Sequence, residues 1–361
     1  MSDRMRAGII GAGFIGGVHA HAVRAAGGIV SRVSDATPEL AGQGAARLLA
    51  QAAAISAQAL IESDDVDVVH VCTPNALHAE LAAAAVAAGK HVICEKPLAT
   101  SVADAARLVE TADAAGLVTA VPFVYRYYPT VREMRARISR QEAGRLRLLH
   151  GSYLQDWLSN GEDTNWRVDP AVGGASRAFG DIGVHWCDLL EFTTGHRITR
   201  LVARLLTAYE HRDTEDGAIV MFETDGGAVG SVVVSQVTPG RKNRLWLSLD
   251  ATTASYAFDQ ELPDTLWIGS RQSVQIVPRG PETLTSEAAR YAVLPAGHPQ
   301  GYQDCFNAFV SDVYRAITHR VQDGLPTFHD GLRAARLTDA VLESARKQSW
   351  VDVGGAELSP L

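Results

Sequence analysis

The stretch Arg6-Ala-Gly-Ile-Ile-Gly11-Ala-Gly13-Phe14-Ile15-Gly16-Gly-Val-His-Ala20 decides the fold. A small apolar run, Ile9-Ile10, meets three glycines in the spacing G-x-G-x-x-G, and a helical pattern follows. A strand, a tight turn and a helix account for each glycine. Gly11 allows the turn, Gly13 lets a pyrophosphate approach the backbone, and Gly16 lets helix and strand pack closely. Free N–H groups and the dipole at the helix start then favour phosphate.

Glycine clusters also occur in plain turns, so context decides. The next apolar run, residues 29–33, leads to Asp35, 19 residues beyond Gly16. A carboxylate there binds both ribose hydroxyls of an adenosine and repels a 2′-phosphate. Taken alone, Asp35 also reads as a cap of the helix that starts near Pro38. The whole succession points to a dinucleotide, and to NAD over NADP. Neighbouring Arg32 softens that preference.

A length of 361 residues suggests two domains with ample core. With 47% hydrophobic and 20% charged residues, the composition is that of a soluble globular protein. A net charge of -8 argues against nucleic acid, whose phosphates it repels. No basic run marks a membrane surface, and the longest apolar stretch, residues 81–88, is too short to span a bilayer. Two early arginines and an apolar stretch mimic a secretion signal, but the glycines there sit where a nucleotide turn needs them. Cys72, Cys94, Cys187 and Cys305 are scattered, with no C-x-x-C. They read as buried or pocket-side thiols in a reducing, cytoplasmic compartment.

Strand-like and helix-like patterns alternate as far as Pro122. Strands are expected at 7–10, 29–34, 66–72, 91–94 and 118–121, with a short one near 53–55. Helices are expected at 14–26, 38–50, 76–88 and 101–115. Nearly continuous apolar strands imply a parallel sheet covered on both faces, hence a doubly wound α/β Rossmann domain over 1–122. Ligands bind beyond the carboxyl ends of such strands. Those ends supply Gly11, Asp35, Thr73-Pro74-Asn75 and Glu95-Lys96-Pro97. Asn75 reads alone as a helix cap, with His78 one turn on. Lys96 follows a buried strand and is locked by Pro97, which holds it at the functional edge. A surface ion pair with Glu95 is its plain alternative.

Past Pro122 the pattern changes. An aromatic and basic bridge, 123–129, holds Tyr125 and Arg126; a helix at 130–139 follows. A strand at 147–158 places Tyr153, Gln155 and Trp157 on one face by alternation. The irregular stretch 159–178 carries Trp166 and Arg167, and long loops in compact domains are usually functional. Successive strands follow at 198–207, 218–223, 228–237, 245–249, 254–258 and 265–268, with a hairpin signal at Asp225-Gly226-Gly227. Helices are expected at 301–323 and 330–347. The second domain, 123–361, is therefore α+β with a large, mostly antiparallel open sheet. Its last helix is free to pack back on the first domain, and one sheet face is free for a partner subunit.

The second chemical segment is Gly180-Asp181-Ile-Gly-Val-His185-Trp-Cys187-Asp188. On a helix, Asp181, His185 and Asp188 share one face, where an aspartate orients an imidazole and raises its basicity. In isolation D-x-x-x-H reads as a capped helix with a core histidine. His185 and Cys187 point apart at i, i+2, so no metal is expected. Tyr153, Gln155, Trp157, Trp166, Arg167 and His298 are the candidate pocket wall. Aromatic rings beside amides suit a ligand with C–H faces and ringed hydroxyls; Arg167 alternatively takes a carboxylate or phosphate.

Together these motifs carry a resemblance. The chain resembles the Gfo/Idh/MocA oxidoreductases, which include glucose–fructose oxidoreductase and inositol dehydrogenase. The likeness rests on Gly11-Ala-Gly13-Phe-Ile-Gly16, Cys72-Thr-Pro-Asn75 with His78, Glu95-Lys96-Pro97, and Gly173-Gly174-Ala175 leading into Asp181 and His185. His298-Pro-Gln-Gly301-Tyr302 adds weaker support. The resemblance implies an NAD-binding Rossmann domain, a second domain with a large open sheet, and hydride transfer to or from a sugar or cyclitol carbon. It implies Lys96, Asp181 and His185 as the catalytic residues. It also implies cofactor contacts from Gly11, Gly13, Phe14, Ile15, Gly16, Asp35, Thr73, Pro74, Asn75, His78, Glu95 and Lys96. A homodimer or homotetramer through the open sheet is the implied assembly. Two departures stand out: Ser176-Arg-Ala-Phe-Gly180 before Asp181, and Tyr125 where many relatives carry asparagine.

In the implied reaction His185 takes a hydroxyl proton, Lys96 stabilises the developing alkoxide, and Asp181 holds His185 or a substrate hydroxyl. The formal base stays open between Lys96 and His185. Two other classes compete with a dehydrogenase. A glycoside-cleaving enzyme that recycles its NAD through oxidation and elimination uses the same residues. A non-catalytic nucleotide sensor predicts the loss of Lys96 or His185, and both are present.

Overall fold

The computed structural model describes residues 4–319 and 323–354. The chain divides into two compact units. One takes the residues up to Val124 together with Tyr302–Ala335; the other takes Tyr125–Gly301 and the residues from Arg336 on.

The first unit opens with β1 (Arg6–Ile10), α1 (Phe14–Ala25), β2 (Ile29–Ser34), α2 (Pro38–Arg47), β3 (Ala52–Ala53) and α3 (Ala57–Ile61). It continues with β4 (Val68–Val71), α4 (His78–Ala87), β5 (His91–Cys94), α5 (Val102–Ala115) and β6 (Thr119–Ala120). The six strands are parallel, in the order β3-β2-β1-β4-β5-β6. Chain order reverses between β1 and β4, and such a switch point opens a crevice at the strand ends. Strands β4 and β5 are almost wholly buried, as parallel strands flanked by helices must be. Capping by Thr37, Ser56 and Ser101 starts α2, α3 and α5. Thr37 therefore takes the capping role that Asp35 had as its alternative.

The second unit runs through α6 (Pro129–Ser139), β7 (Leu146–Leu154), the short α7 (Pro170–Gly173) and α8 (Val184–Thr194). Strands β8 (Ile198–Leu206), β9 (Gly217–Thr224), β10 (Val229–Ser235), β11 (Arg244–Ala251), β12 (Ala254–Asp259), β13 (Thr265–Ser270) and β14 (Val274–Pro278) follow, then the short α9 (Ser286–Ala289). Helix α10 (Tyr302–His319) belongs to the first unit and packs on α1. Helix α11 (Phe328–Lys347) begins in the first unit and ends in the second, before β15 (Val351–Asp352). Residues 320–322 of the helix expected over 301–323 lie outside the described residues.

The second sheet has nine strands, ordered β14-β13-β12-β11-β7-β10-β9-β8-β15. Its pairings are antiparallel except that β10 runs parallel to β7. Helices α6 and α8 cover one face. Alternation shows clearly in β9, where Ala218, Val220 and Phe222 are buried while Ile219 and Met221 are more than half exposed.

One expected strand ends early and one expected helix opens irregularly. The expected strand at 147–158 leaves its ladder at Leu154, so Trp157 lies in a turn and not on a strand face. Residues Phe179–Gly183 form a π-helical turn ahead of α8, so Asp181 does not sit on a regular α-helix. π-Turns are rare and concentrate at functional sites.

Gly16 sets the packing of α1 on β1. A Cβ there stands 2.2 Å from the Gly11 carbonyl oxygen, which belongs to rigid backbone. Gly16→Ala is expected to push the helix off the strand and cost about 1–3 kcal/mol. A lowered midpoint in urea unfolding, with an unchanged slope, is the expected measurement.

Candidate active site

In the first unit the glycine turn is built as an anion cradle. Gly11 has φ +95, and a Cβ on it lies 2.5 Å from the Cys72 carbonyl oxygen. Gly13 starts α1 with no side-chain cap, and the first turn has no acidic residue. Its amides are left to a ligand. Phe14 is 83% exposed beside them, Ile15 is half-buried, and Arg47 donates to the Ala12 carbonyl. Asp35 accepts from Ala12 N at 2.9 Å and from Ala36 N at 2.7 Å. Arg32 is committed to Asp65 at 2.6 Å and to Ser63 at 2.8 Å. Its charge is spent there, which removes the residue that softened the preference for NAD. The hydroxyls of Ser34 and Thr73 are buried with no hydrogen-bond partner among the described residues. Backbone of both residues borders Gly11. Orphaned hydroxyls beside a glycine turn fit a dinucleotide well.

The other strand-end residues divide. Thr73, Pro74 and Asn75 are half-buried, and Asn75 begins a short 3-10 turn before α4. Lys96 is half-buried, and its peptide to Pro97 is cis. His78 is 1% exposed, with one ring nitrogen 2.7 Å from the Pro97 carbonyl and the other 2.9 Å from that of Thr73. Burial is the main influence on His78 and keeps its pKa below the usual value, although both carbonyls favour its charge. Glu95 is 7% exposed and bonded inward to His19. Both residues are expected from the motifs as cofactor contacts. Their side chains are buried, that of His78 between the Thr73 and Pro97 carbonyls and that of Glu95 against His19.

In the second unit a polar network gathers the candidates on that unit except Asp188 and His298. Gln236, one residue past β10, donates to Asp181 Oδ2 at 2.7 Å and lies 3.3 Å from Gln155 Oε1. Trp157 Nε1 donates to the same Gln155 oxygen at 2.8 Å. Arg167 Nε lies 3.5 Å from Asp181 Oδ1, and its guanidinium stacks 4.2 Å over Trp166. Gln155 and Tyr153 both donate to Asn243 Oδ1, at 2.7 and 2.8 Å, and Asn243 donates to the Tyr125 hydroxyl. Tyr125 and Tyr153 share a hydrogen bond, and their rings pack 5.2 and 6.5 Å from that of His185.

One buried charge cluster orients this network. Arg177 and Arg212 both pair with Asp216, and all three side chains are buried. Arg177 also donates to Gln236 Oε1 at 3.1 Å. Arginine is only a donor, so Gln236 presents its oxygen to Arg177 and its NH2 to Asp181. Ser176 bonds Glu215. The segment that departs from the family pattern is thus the one that supports Asp181. Asp188 is committed to a two-pronged pair with Arg126, so it does not join Asp181 and His185. His298 is exposed on the loop before α10, and its carbonyl accepts from Arg279.

Comparison with known proteins then fixes the relationship. Residues 5–123 match the oxidoreductase family with an NAD-binding Rossmann fold, and residues 131–256 match the GFO/IDH/MocA C-terminal domain. The chain belongs to the Gfo/Idh/MocA oxidoreductase family. As a member it is an NAD-binding oxidoreductase. It is similar to levoglucosan dehydrogenase of Pseudarthrobacter phenanthrenivorans, with 30% identity over 97% of this chain and 98% of that protein. Inositol 2-dehydrogenase of Acidiphilium cryptum is 31% identical over 99% of both chains. A levoglucosan dehydrogenase structure with NADH and L-sorbose superposes with a TM-score of 0.92 at 30% identity, over 97% of this chain and 99% of that one. An inositol dehydrogenase homologue from Azotobacter vinelandii with NAD+ gives 0.89 at 28% identity, over 98% of each.

Within this Gfo/Idh/MocA chain, Gln236, Asn243, Arg177 and Asp216 are the members of the network around Asp181 that sequence reading misses. Gln236 and Asn243 are lone amides at strand ends, and Arg177 is a charged residue that packing has buried. Asp216 supplies a pH test. Burial opposes its ionisation, but hydrogen bonds from Ala208, Arg212 and Arg177 and the arginine charge hold its pKa below the usual carboxylate range. A lowered folded pKa means the stabilisation is full above the unfolded value of about 4 and is lost as pH falls through the folded value. Asp216→Asn is therefore expected to be much less stable than wild type at pH 7, with the gap closing below about pH 4 in denaturant titrations.

Proposed function

We propose that the protein oxidises a secondary alcohol of a neutral sugar or cyclitol, with Lys96, Asp181 and His185 as its catalytic side chains. The observation that carries the substrate class is the charge balance around Asp181. Arg167 faces Asp181, so the cluster presents no uncompensated cation to an acidic ligand. What it does present is aromatic edges and amides that suit C–H faces and hydroxyls. The names of the relatives, levoglucosan and inositol dehydrogenases, support the same class.

Gly11, Gly13, Phe14, Ile15, Gly16 and Asp35 are assigned to NAD, with Thr73, Pro74 and Asn75 from the neighbouring turn. Bound NAD supplies the hydride acceptor. His185 accepts the hydroxyl proton, and the Lys96 ammonium donates to the oxygen as negative charge develops. Asp181 already accepts from Gln236, so it serves as an acceptor that orients a substrate hydroxyl. Tyr125, Tyr153, Gln155, Trp157, Trp166 and Arg167 are assigned to holding the substrate.

The assembly reading is a homo-oligomer built on the open sheet. Ile219 pairs with Val233, and Val229 with Leu148, and all four are more than 40% exposed. Contiguous apolar surface of this kind marks an interface. The four cysteines are buried and form no disulfide among the described residues, in keeping with a cytoplasmic location. Among the described residues no helix is long and apolar enough to cross a membrane. The net charge of -8 disfavours a nucleic-acid partner.

NADH absorbance decides the reaction when wild-type protein meets levoglucosan, myo-inositol and hexoses with NAD or NADP. Net NADH from a neutral polyol is the expected result. Lys96→Ala and His185→Ala are each expected to lower turnover about a hundredfold or more while NADH fluorescence titration stays near wild type. Wild-type turnover in both variants refutes the assignment, and substrate consumption without net NADH points to recycled cofactor. For the assembly, Ile219→Lys with Val233→Lys is expected to leave a monomer by light scattering.

A further inference from the structure

The first unit contains a buried chain of titratable groups that the reaction above does not use. It runs from Tyr314 on α10, through His70 in β4 and His19 on α1, to Glu95 at the end of β5. Tyr314 OH lies 3.4 Å from His70 Nε2, and His70 Nδ1 lies 2.9 Å from His19 Nδ1. His19 Nε2 lies 3.0 Å from Glu95 Oε1, and Glu95 Oε2 accepts from the backbone N–H of Lys96 at 3.2 Å. Both histidines are fully buried, and Phe306 packs 5.0 Å from His19 on the α10 side.

We propose that His19, backed by His70 and Tyr314, is a positioning residue: it holds the Glu95 carboxylate so that Glu95 fixes the backbone from which Lys96 is presented. The inference rests on reading Lys96 as a catalytic group.

The proton order along the chain follows from its ends. Burial works against the charge on Glu95, but the hydrogen bond and charge from His19, with the charge of Lys96, outweigh it and keep Glu95 ionised. An ionised carboxylate only accepts, so His19 Nε2 carries a proton. Burial, reinforced by His19, holds the pKa of His70 well below its usual value, so His70 is neutral. One proton then lies between the two Nδ1 atoms. Two imidazoles inside a Rossmann core cost desolvation that aliphatic side chains avoid. What they provide is a directed bond to one carboxylate, which packing alone does not give. Helix α1 carries both the glycine turn and His19, so the same helix that receives the phosphates also sets the Lys96 turn.

The test combines nitrogen NMR with kinetics on the full-length protein. With 15N-labelled histidine, a nitrogen–nitrogen coupling across the His19–His70 hydrogen bond is expected, and the Lys96 amide proton is expected downfield because it donates to a carboxylate. Glu95→Gln cannot accept on both sides, so it is expected to move the Lys96 amide upfield. His19→Leu is expected to do the same and to lower kcat about tenfold on whichever polyol wild type oxidises, with NADH affinity changed less than about twofold. His19→Gln keeps a donor at the Nε2 position and is expected to restore most of both signals. A merely structural role moves unfolding midpoints without separating the Leu and Gln variants in kcat. An absent coupling, an unmoved Lys96 amide in folded Glu95→Gln protein, or wild-type kcat in His19→Leu overturns the proposal. If wild type turns over no polyol, the reading of Lys96 fails, while the coupling and the amide shift still decide whether His19 holds Glu95 against the Lys96 backbone.

Discussion

At Gly16 a helix lies against a turn with no room for one further carbon, since a Cβ there meets the Gly11 carbonyl at 2.2 Å. The first unit is arranged around that approach. It brings the uncapped start of α1 onto the end of β1, where backbone amides and the helix dipole act together on an anion. The same turn is held from the other side by Asp35, which accepts from Ala12 N. The carboxylate we assign to the ribose thus also locks the backbone of the glycine turn. Removing it disturbs two functions at once.

The second unit relies on buried charge in place of close backbone contact. Asp216 between Arg177 and Arg212 is a fully enclosed triad. Such clusters are weak evidence for stability, because taking the charges out of water offsets most of their attraction. Their value here is directional. Arg177 fixes the rotamer and amide orientation of Gln236, and Gln236 fixes Asp181. Orientation passes through three side chains to a carboxylate that reaches solvent.

How much of this is legible in the sequence depends on what kind of signal each feature leaves. Strands β2 and β5 are read to the residue, because each is rich in β-branched residues and follows a glycine turn. The five-residue α3 and the largely exposed β14 leave too short or too weak a pattern. The π-turn at Phe179–Gly183 leaves none, since its i→i+5 bonds reflect tertiary packing. Motifs locate Asp181 and His185 but say nothing of Gln236 or Asn243, which join them from far along the chain. Motifs also place His78 and Glu95 near the cofactor without showing which way they face.

The parallel pairing of β7 with β10, in a sheet otherwise antiparallel, has an evolutionary consequence. Tyr153 pairs with Val234 and Leu154 with Ser235, so both strands finish at the same edge, and antiparallel β11 begins there opposite Leu154. Gln155, Gln236 and Asn243 emerge side by side from three strand termini. None of their side chains takes part in the ladder. Drift at these three positions can therefore rearrange the network around Asp181 and the two tyrosines without breaking a ladder hydrogen bond.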